Sequence, residues 1–421
     1  MRITVSHVII LVFLVIGWGN LPVFAANWEI HPGLYTSYEY SDNYLGEAEE
    51  EQEETTYEIG PSLELIVDTQ HFHWEVAGYA AKSYHREFDE DDATEVSTVT
   101  SLAWAGVRRS LDMKYEYTQT RSRESLDQPI GETRIHRGSV TYHRDISRRI
   151  SYSAGYRTYN EDAPEPDDDV SGNGGVFELT YLPNPRNRLD LTYSYDIFNY
   201  DADESVEATE LSLDSRITAA DIGWLYAISR RVSMGPTAGY SKIERPHLND
   251  EATYTLELSM VYTPSRNLNL DLAAGYSRLK VDEEEEEIED TEEGVYIYRA
   301  GLTWENPRDT ITAGTSRGYT TETTSYRYGI YRTNSADISW EHKFANTLSS
   351  EITALYTQRK PSSDIADQDE EEKEFVGQVA GIWSPWEYLD LRLYYERLEQ
   401  RFEVSDTVKE NRYGAIIEIR Y

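Results

Sequence analysis

Arg412-Tyr413-Gly414-Ala415-Ile416-Ile417-Glu418-Ile419-Arg420-Tyr421 decides how the rest of the chain reads. Tyr413, Ala415, Ile417, Ile419 and Tyr421 share one parity, whereas Arg412, Gly414, Ile416, Glu418 and Arg420 share the other. Successive side chains of a strand point to opposite faces, so one face suits lipid and the other water. In hydrocarbon such a sheet must close on itself, because an open edge leaves N–H and C=O groups without partners. The expected fold is all-β: a transmembrane antiparallel up-and-down β-barrel.

The same alternation recurs from Trp28 onward. Trp28, Ile30, Leu34, Tyr38 and Tyr40 share a parity, as do Tyr57, Ile59, Leu63, Leu65 and Val67, then Phe72, Trp74, Val76 and Ala80. Leu111, Met113, Tyr115 and Tyr117 repeat it, and so do Leu189, Leu191, Tyr193 and Tyr195. Short turns are expected at Asp68–His71, Arg108–Ser110, Asp145–Arg149, Pro183–Pro185, Ser229–Arg231, Thr263–Asn267, Glu305–Asp309, Glu341–Asn346 and Ser384–Tyr388. The pattern predicts about 20 strands, with 18 and 22 as the neighbouring even counts. Thr209 to Ser229 is long for one strand and loses parity around Arg216 to Asp221. It reads either as a strand that projects above the membrane or as one with a bulge.

Residues 1–25 carry Arg2, a short apolar run from Val8 to Ile16 and then Leu21-Pro22-Val23-Phe24-Ala25, small or apolar residues where a signal peptidase cuts, the pattern of a cleaved signal peptide. That run is too short to span a bilayer, and no later stretch approaches 18 consecutive apolar residues, which argues against a helical membrane protein. Alternation without a linker makes residues 26–421 one barrel domain. The absence of Cys suits an oxidising periplasmic transit. Mean hydropathy of -0.65 looks soluble only because half of each strand faces water. The 34 Tyr are the better guide, since amphipathic rings suit barrel walls and interfaces.

Charge divides along the barrel axis. Short turns hold Arg108, Arg109, Arg148, Arg149, Arg186, Arg230, Arg231, Arg266 and Arg308, while long loops hold Glu49–Glu54, Asp89–Asp92, Asp167–Asp169, Asp282–Asp290 and Asp369–Glu372. Barrels of this kind place short turns in the periplasm and long loops outside. Trp28, Trp74, Trp104, Trp224, Trp304, Trp340, Trp383 and Trp386 all fall near short turns or the first strand's start, as a girdle at one interface would. The expected location is the outer membrane of a Gram-negative bacterium.

A formal net charge of -38 disfavours nucleic acid as a partner. The acidic loops read as solvated chain, with loose divalent-cation binding as the sharper alternative; no EF-hand spacing supports a specific metal site. Inward parity selects a mixed-charge lumen of His73, Glu75, Asp112, Lys114, Glu116, Asp190, Asp196, Asp271, Asp390, Arg392, Glu396, Glu418 and Arg420. Carboxylates outnumber bases there, so cation preference is expected. Inward Tyr79 and Tyr394 are candidates to stack on sugar rings. His71-Phe72-His73 is the nearest approach to a ligand pair, and its place beside a short turn reads as interfacial. No G-x-S-x-G, H-E-x-x-H or Gly-rich phosphate loop occurs, so neither an enzyme nor a bound cofactor is expected.

The opening strand, His31-Pro32-Gly33-Leu34-Tyr35-Thr36-Ser37-Tyr38-Glu39-Tyr40-Ser41-Asp42-Asn43-Tyr44-Leu45, resembles that of a family of β-barrel porins often encoded with exopolysaccharide synthesis and export systems. Tyr40-Ser41-Asp42-Asn43 carries the match. The aromatic C-terminal residue likewise resembles the signal read by the barrel-assembly machinery. These resemblances imply an outer-membrane channel passing hydrophilic solutes or secreted polysaccharide, in contact with lipid, lipopolysaccharide and polysaccharide-export components. The alternative is a structural anchor whose acidic loops organise surface polysaccharide or divalent ions.

Overall fold

Alternation of this length can satisfy its backbone only by pairing each run with the next, and the chain does so throughout. A computed structural model describes residues 26–44, 51–88, 92–122, 131–162, 169–201, 214–245, 250–282, 291–324, 327–361, 371–402 and 407–421. The expected signal peptide lies outside the described residues, as does part of every acidic loop, including nearly all of Asp282–Asp290. The strands are β1 (Asn27–Ser41), β2 (Glu54–Asp68), β3 (Phe72–His85), β4 (Ala93–Gly106), β5 (Arg109–Ser122), β6 (Gly131–Ser147), β7 (Ile150–Asp162), β8 (Asp169–Asn184), β9 (Asn187–Asp201) and β10 (Ser215–Ala227). They continue as β11 (Val232–Glu244), β12 (Asp250–Ser265), β13 (Leu268–Asp282), β14 (Thr291–Glu305), β15 (Asp309–Thr324), β16 (Arg327–Ala345), β17 (Leu348–Pro361), β18 (Glu372–Trp386), β19 (Leu389–Phe402) and β20 (Val408–Arg420). Every strand pairs antiparallel with its sequence neighbours, and β1 pairs with β20 from Gly33↔Arg420 to Ser41↔Arg412, closing a 20-stranded barrel.

The ladders fix the two faces. Leu191 lies opposite Ile222 and Leu179, Ile222 opposite Ala238, and Leu256 opposite Tyr276, so one continuous apolar and aromatic surface wraps the outside. Those rings and branched chains are exposed, as a surface meant for lipid must be when water is the reference. Four of the short turns share one local device. A Ser or Asn two residues before an Arg accepts that residue's N–H, as in Ser147 to Arg149 (3.1 Å), Asn184 to Arg186 (3.0 Å), Ser229 to Arg231 (3.1 Å) and Asn306 to Arg308 (2.8 Å). The side chain substitutes for the missing ladder partner, so the chain reverses in a few residues.

Between 209 and 229 the structure has one strand, β10, which starts at Ser215 and continues through the stretch of lost parity without a register shift. The expected bulge is absent from this strand, and residues 202–213 fall outside the described set. Its ladder with β11 skips from Gly223↔Thr237 to Tyr226↔Met234, because Pro236 has no N–H to donate. Parity blurs for another reason: Ile217 sits on the inner face, where it contacts other apolar residues.

Closure extends past the β1–β20 ladder. Asp42 accepts from both the backbone N–H and the side-chain amide of Asn411 (2.7 Å each), and Asn43 donates to the Lys409 carbonyl at 2.9 Å. Asn43 is fully buried, and Ser41 donates to Glu410 at 2.7 Å. The Ser41-Asp42-Asn43 step is thus a clamp on the seam.

A charged lumen wall, a mid-barrel recess and a hairpin bent over the mouth

The face opposite the lipid surface carries the charged residues of alternate parity. Asp390, Glu418 and Arg420 meet on the seam strands: Asp390 lies opposite Glu418, and Arg420 reaches Asp390 (2.8 Å), Glu418 (3.1 Å) and Glu64 (3.9 Å). Arg392 contacts Glu351 (3.5 Å) and Gln378 (3.0 Å), and Glu396 accepts from Gln378 (3.1 Å) with Arg412 at 3.6 Å. Glu75 lies beside His73 (3.6 Å), whose other nitrogen meets Asp68 at 2.6 Å. Asp190 accepts from Thr180 (2.7 Å) and Arg188 (2.9 Å), and Asp271 from Asn269 (2.7 Å). Asp112 accepts from Ser110 at 3.5 Å. These pairs lie within one strand or join strands one or two places apart, so the charges lie along the wall. Tyr79 stacks on Tyr35 at 4.2 Å and 10°, which covers one ring face, while Tyr394 donates to Glu39. The eight Trp side chains among the described residues lie toward the short-turn end, with Trp224 donating to Asn187 (2.8 Å) and Trp340 to Asp309 (3.2 Å).

Halfway along the wall, β5 to β9 form a recess of about 280 Å³. Register explains it. One inner row across these strands runs Lys114, Ser139, Arg157, Gly174, Asp196; the next runs Glu116, Arg137, Tyr159, Gly172, Phe198. Gly172 and Gly174, side by side on β8, and Ser139 on β6 are the small residues of the two rows, and long side chains flank them. Arg157 binds Asp196 through two bonds of 2.7 and 2.6 Å, a bidentate pair. Gly174 makes that pair possible, since a Cβ there would stand 1.7 Å from an Asp196 carboxylate oxygen. Lys114 contacts Glu116 at 2.5 Å, and the Arg137 guanidinium lies 5.6 Å from the Tyr159 ring centre. Lys114 and Glu116 were expected at the site; Arg137, Arg157 and Tyr159 were not, and only cross-strand register groups them.

At the long-loop end, β15 follows β14 from Glu305↔Thr310 only as far as Tyr298↔Arg317, although β14 starts at Thr291 and β15 continues to Thr324. Past Arg317 the paired β15–β16 tip bends inward over the mouth. Ile330 packs on Ile243, Leu279 and Val281, with Ile217 and Tyr319 at the margin. The wall partners form an inner row, Ile217↔Ile243↔Glu251↔Val281. Polar bonds fix the tip: Ile330 N–H to Glu251 (3.1 Å), Arg332 to Glu293 (3.0 Å) and the Tyr319 hydroxyl to the Glu293 carbonyl (3.4 Å). Arg245 meets Glu251 at 2.9 Å with both side chains buried. Burying Ile330 alone is worth roughly 1.5–3 kcal/mol.

Acidic residues expected to be solvated are engaged where the loops join strands. Glu54 is buried and accepts from the backbone N–H groups of Arg86 (2.8 Å), Glu87 (3.2 Å) and Phe88 (2.9 Å). Bonds from Lys373 and Gln358 hold the Glu371 carboxyl below the usual carboxylate range, so it stays charged. 

The fold has solved counterparts. The FrpB iron transporter from Neisseria meningitidis superposes with a TM-score of 0.54 at 9% identity, over 92% of this chain and 81% of that one. The siderophore receptor PirA from Pseudomonas aeruginosa gives 0.52 at 10% identity, over 93% and 80%, and the copper transporter OprC 0.53 at 8%, over 93% and 80%. No protein-family model and no curated protein sequence matches the chain. At these identities the likeness is one of fold: a closed antiparallel barrel.

Proposed function

We propose that the chain is an outer-membrane channel for small hydrophilic solutes and ions, with a preference for cations. The observation that carries this reading is the charged inner wall, whose ion pairs run within strands or between near-neighbour strands and so leave the barrel axis to water. A barrel of 20 strands encloses more width than its side chains fill. Its solved counterparts include an iron transporter, a copper transporter and a siderophore receptor, which supports transport as the class of activity. Asp and Glu total 77 against 39 Lys and Arg, and such an excess raises cation concentration at the mouth. Lipopolysaccharide, the assembly machinery and polysaccharide-export components are the partners this reading brings with it. Reversal potentials across a planar bilayer under a KCl gradient test it: the expected sign is that of a cation-selective pore.

The hairpin bent over the mouth favours a second reading, an anchor whose acidic loops hold divalent ions or surface polysaccharide. Protein that is folded by heat-modifiable gel mobility yet conducts nothing would select the anchor.

A further inference from the structure

We infer that the β5–β9 recess is a binding site for a monosaccharide-sized solute bearing one carboxylate. This rests on the inner face being a solute path. The recess is net basic within an acidic chain, with Lys114, Arg137 and Arg157 against Glu116 and Asp196. Two of its charges are committed to each other, since Arg157 spends two of its donors on Asp196. Arg137 differs. No carboxylate among the described residues lies within ion-pair reach of it, and its guanidinium is held over Tyr159 and exposed to the recess. A planar guanidinium with open donors is matched by a carboxylate, which takes two parallel N–H bonds.

Lys114 is the diagonal neighbour of Arg137 on the same face, because Lys114 pairs with Ser139 and Arg137 with Glu116. Diagonal neighbours stand roughly 7–8 Å apart, so one carboxylate is within reach of both cations. Lys114 shares its ammonium with Glu116 but keeps further donors, three in all. The remaining wall suits a hydroxylated ring: Ser139 and Glu116 offer hydroxyl partners, and Tyr159 and Phe198 offer apolar ring faces. Gly172 and Gly174 let the Phe198 ring and the Asp196 carboxylate lie close against the wall, so that neither stands out into the recess. A volume of about 280 Å³ suits one such ring.

The test is equilibrium binding of galacturonate and, as the uncharged counterpart of equal size, galactose to the purified full-length protein in detergent, by saturation-transfer NMR titration. Galacturonate is expected to bind at least about tenfold more tightly than galactose, and Arg137→Gln is expected to remove that difference. Arg230→Gln, in a short turn, should leave it intact. Equal binding of the two probes by the wild type, or galacturonate binding unchanged in Arg137→Gln, would overturn the assignment. Conductance of the same preparations in KCl is read separately. Conduction without selective binding rejects the recess alone, whereas selective binding without conduction rejects the channel and keeps the site. Heat-modifiable mobility confirms that each variant is folded.

Discussion

Across β10 to β13 the inner wall near the mouth carries Ile217, Ile243, Leu279 and Val281, and the β15–β16 tip rests on it. Across β5 to β9 the inner wall carries Lys114, Ser139, Arg157, Arg137 and Tyr159, and it forms a recess instead. Both belong to the water-facing side of one sheet. The difference shows that parity assigns a side chain to a face without saying what that face will meet. Apolar residues on the inner face recruit a segment of the same chain, whereas charged and small ones keep the wall open to solute.

The contrast is broken most directly by placing the same new charge in both sectors. Leu279→Asp puts an unpaired carboxylate into the buried cluster and should cost about 3 kcal/mol or release the tip. Hydrogen exchange at residues 318–333 should quicken and conductance should rise. Ser139→Asp in the recess should stay within about 0.5 kcal/mol of wild type in urea unfolding.

The outer faces of the two sectors should respond alike. Leu191→Arg on β9 and Leu258→Arg on β12 are each expected to cost about 2–4 kcal/mol at mid-strand, against nearly nothing for Thr192→Arg. A damaging Thr192→Arg would mean that the β9 register is off by one residue. Next in size is Gly174→Ala, whose added Cβ collides with Asp196 and loosens the bond to Arg157; with Arg157 largely exposed, the loss should be about 1 kcal/mol. Smallest is the effect of salt. The share of cation preference due to loop charges should fade toward 1 M KCl, where screening acts within roughly 3 Å, while the wall charges keep theirs.

Strands and turns were legible in the sequence because the outer face must be apolar at nearly every second position, so repetition exposes it. Leu189, Leu191, Tyr193 and Tyr195 sit where alternation placed them. The inward bend of β15–β16 was not legible. Its cause is a few apolar residues of inner parity, Ile217, Ile243, Leu279 and Val281, which look like lapses in the pattern until Ile330 is seen to cover them. The recess was half legible: Lys114 and Glu116 follow from parity within β5, but their company with Arg137, Arg157 and Asp196 depends on offsets set by every intervening turn. Glu54 misled in the other direction, since an acidic run gives no sign that its last member accepts three backbone N–H groups from the far side of β2 and β3.

The Asp42–Asn411 clamp bears on the order of folding events. Its two residues are 369 apart in sequence, whereas each hairpin ladder joins segments adjacent in the chain. Joining ends across so many flexible residues would cost about 5 kcal/mol in loop entropy, so the contact is unfavourable until the intervening hairpins have drawn β1 and β20 together. Local pairing comes early and the seam late, which makes contact order high for this one junction and low for the others. Until then β1 and β20 are both open edges, exposed to pairing with any other chain. The Asp42 carboxylate and the Asn43 amide therefore act where the nascent sheet is most vulnerable, at the last bond line to form.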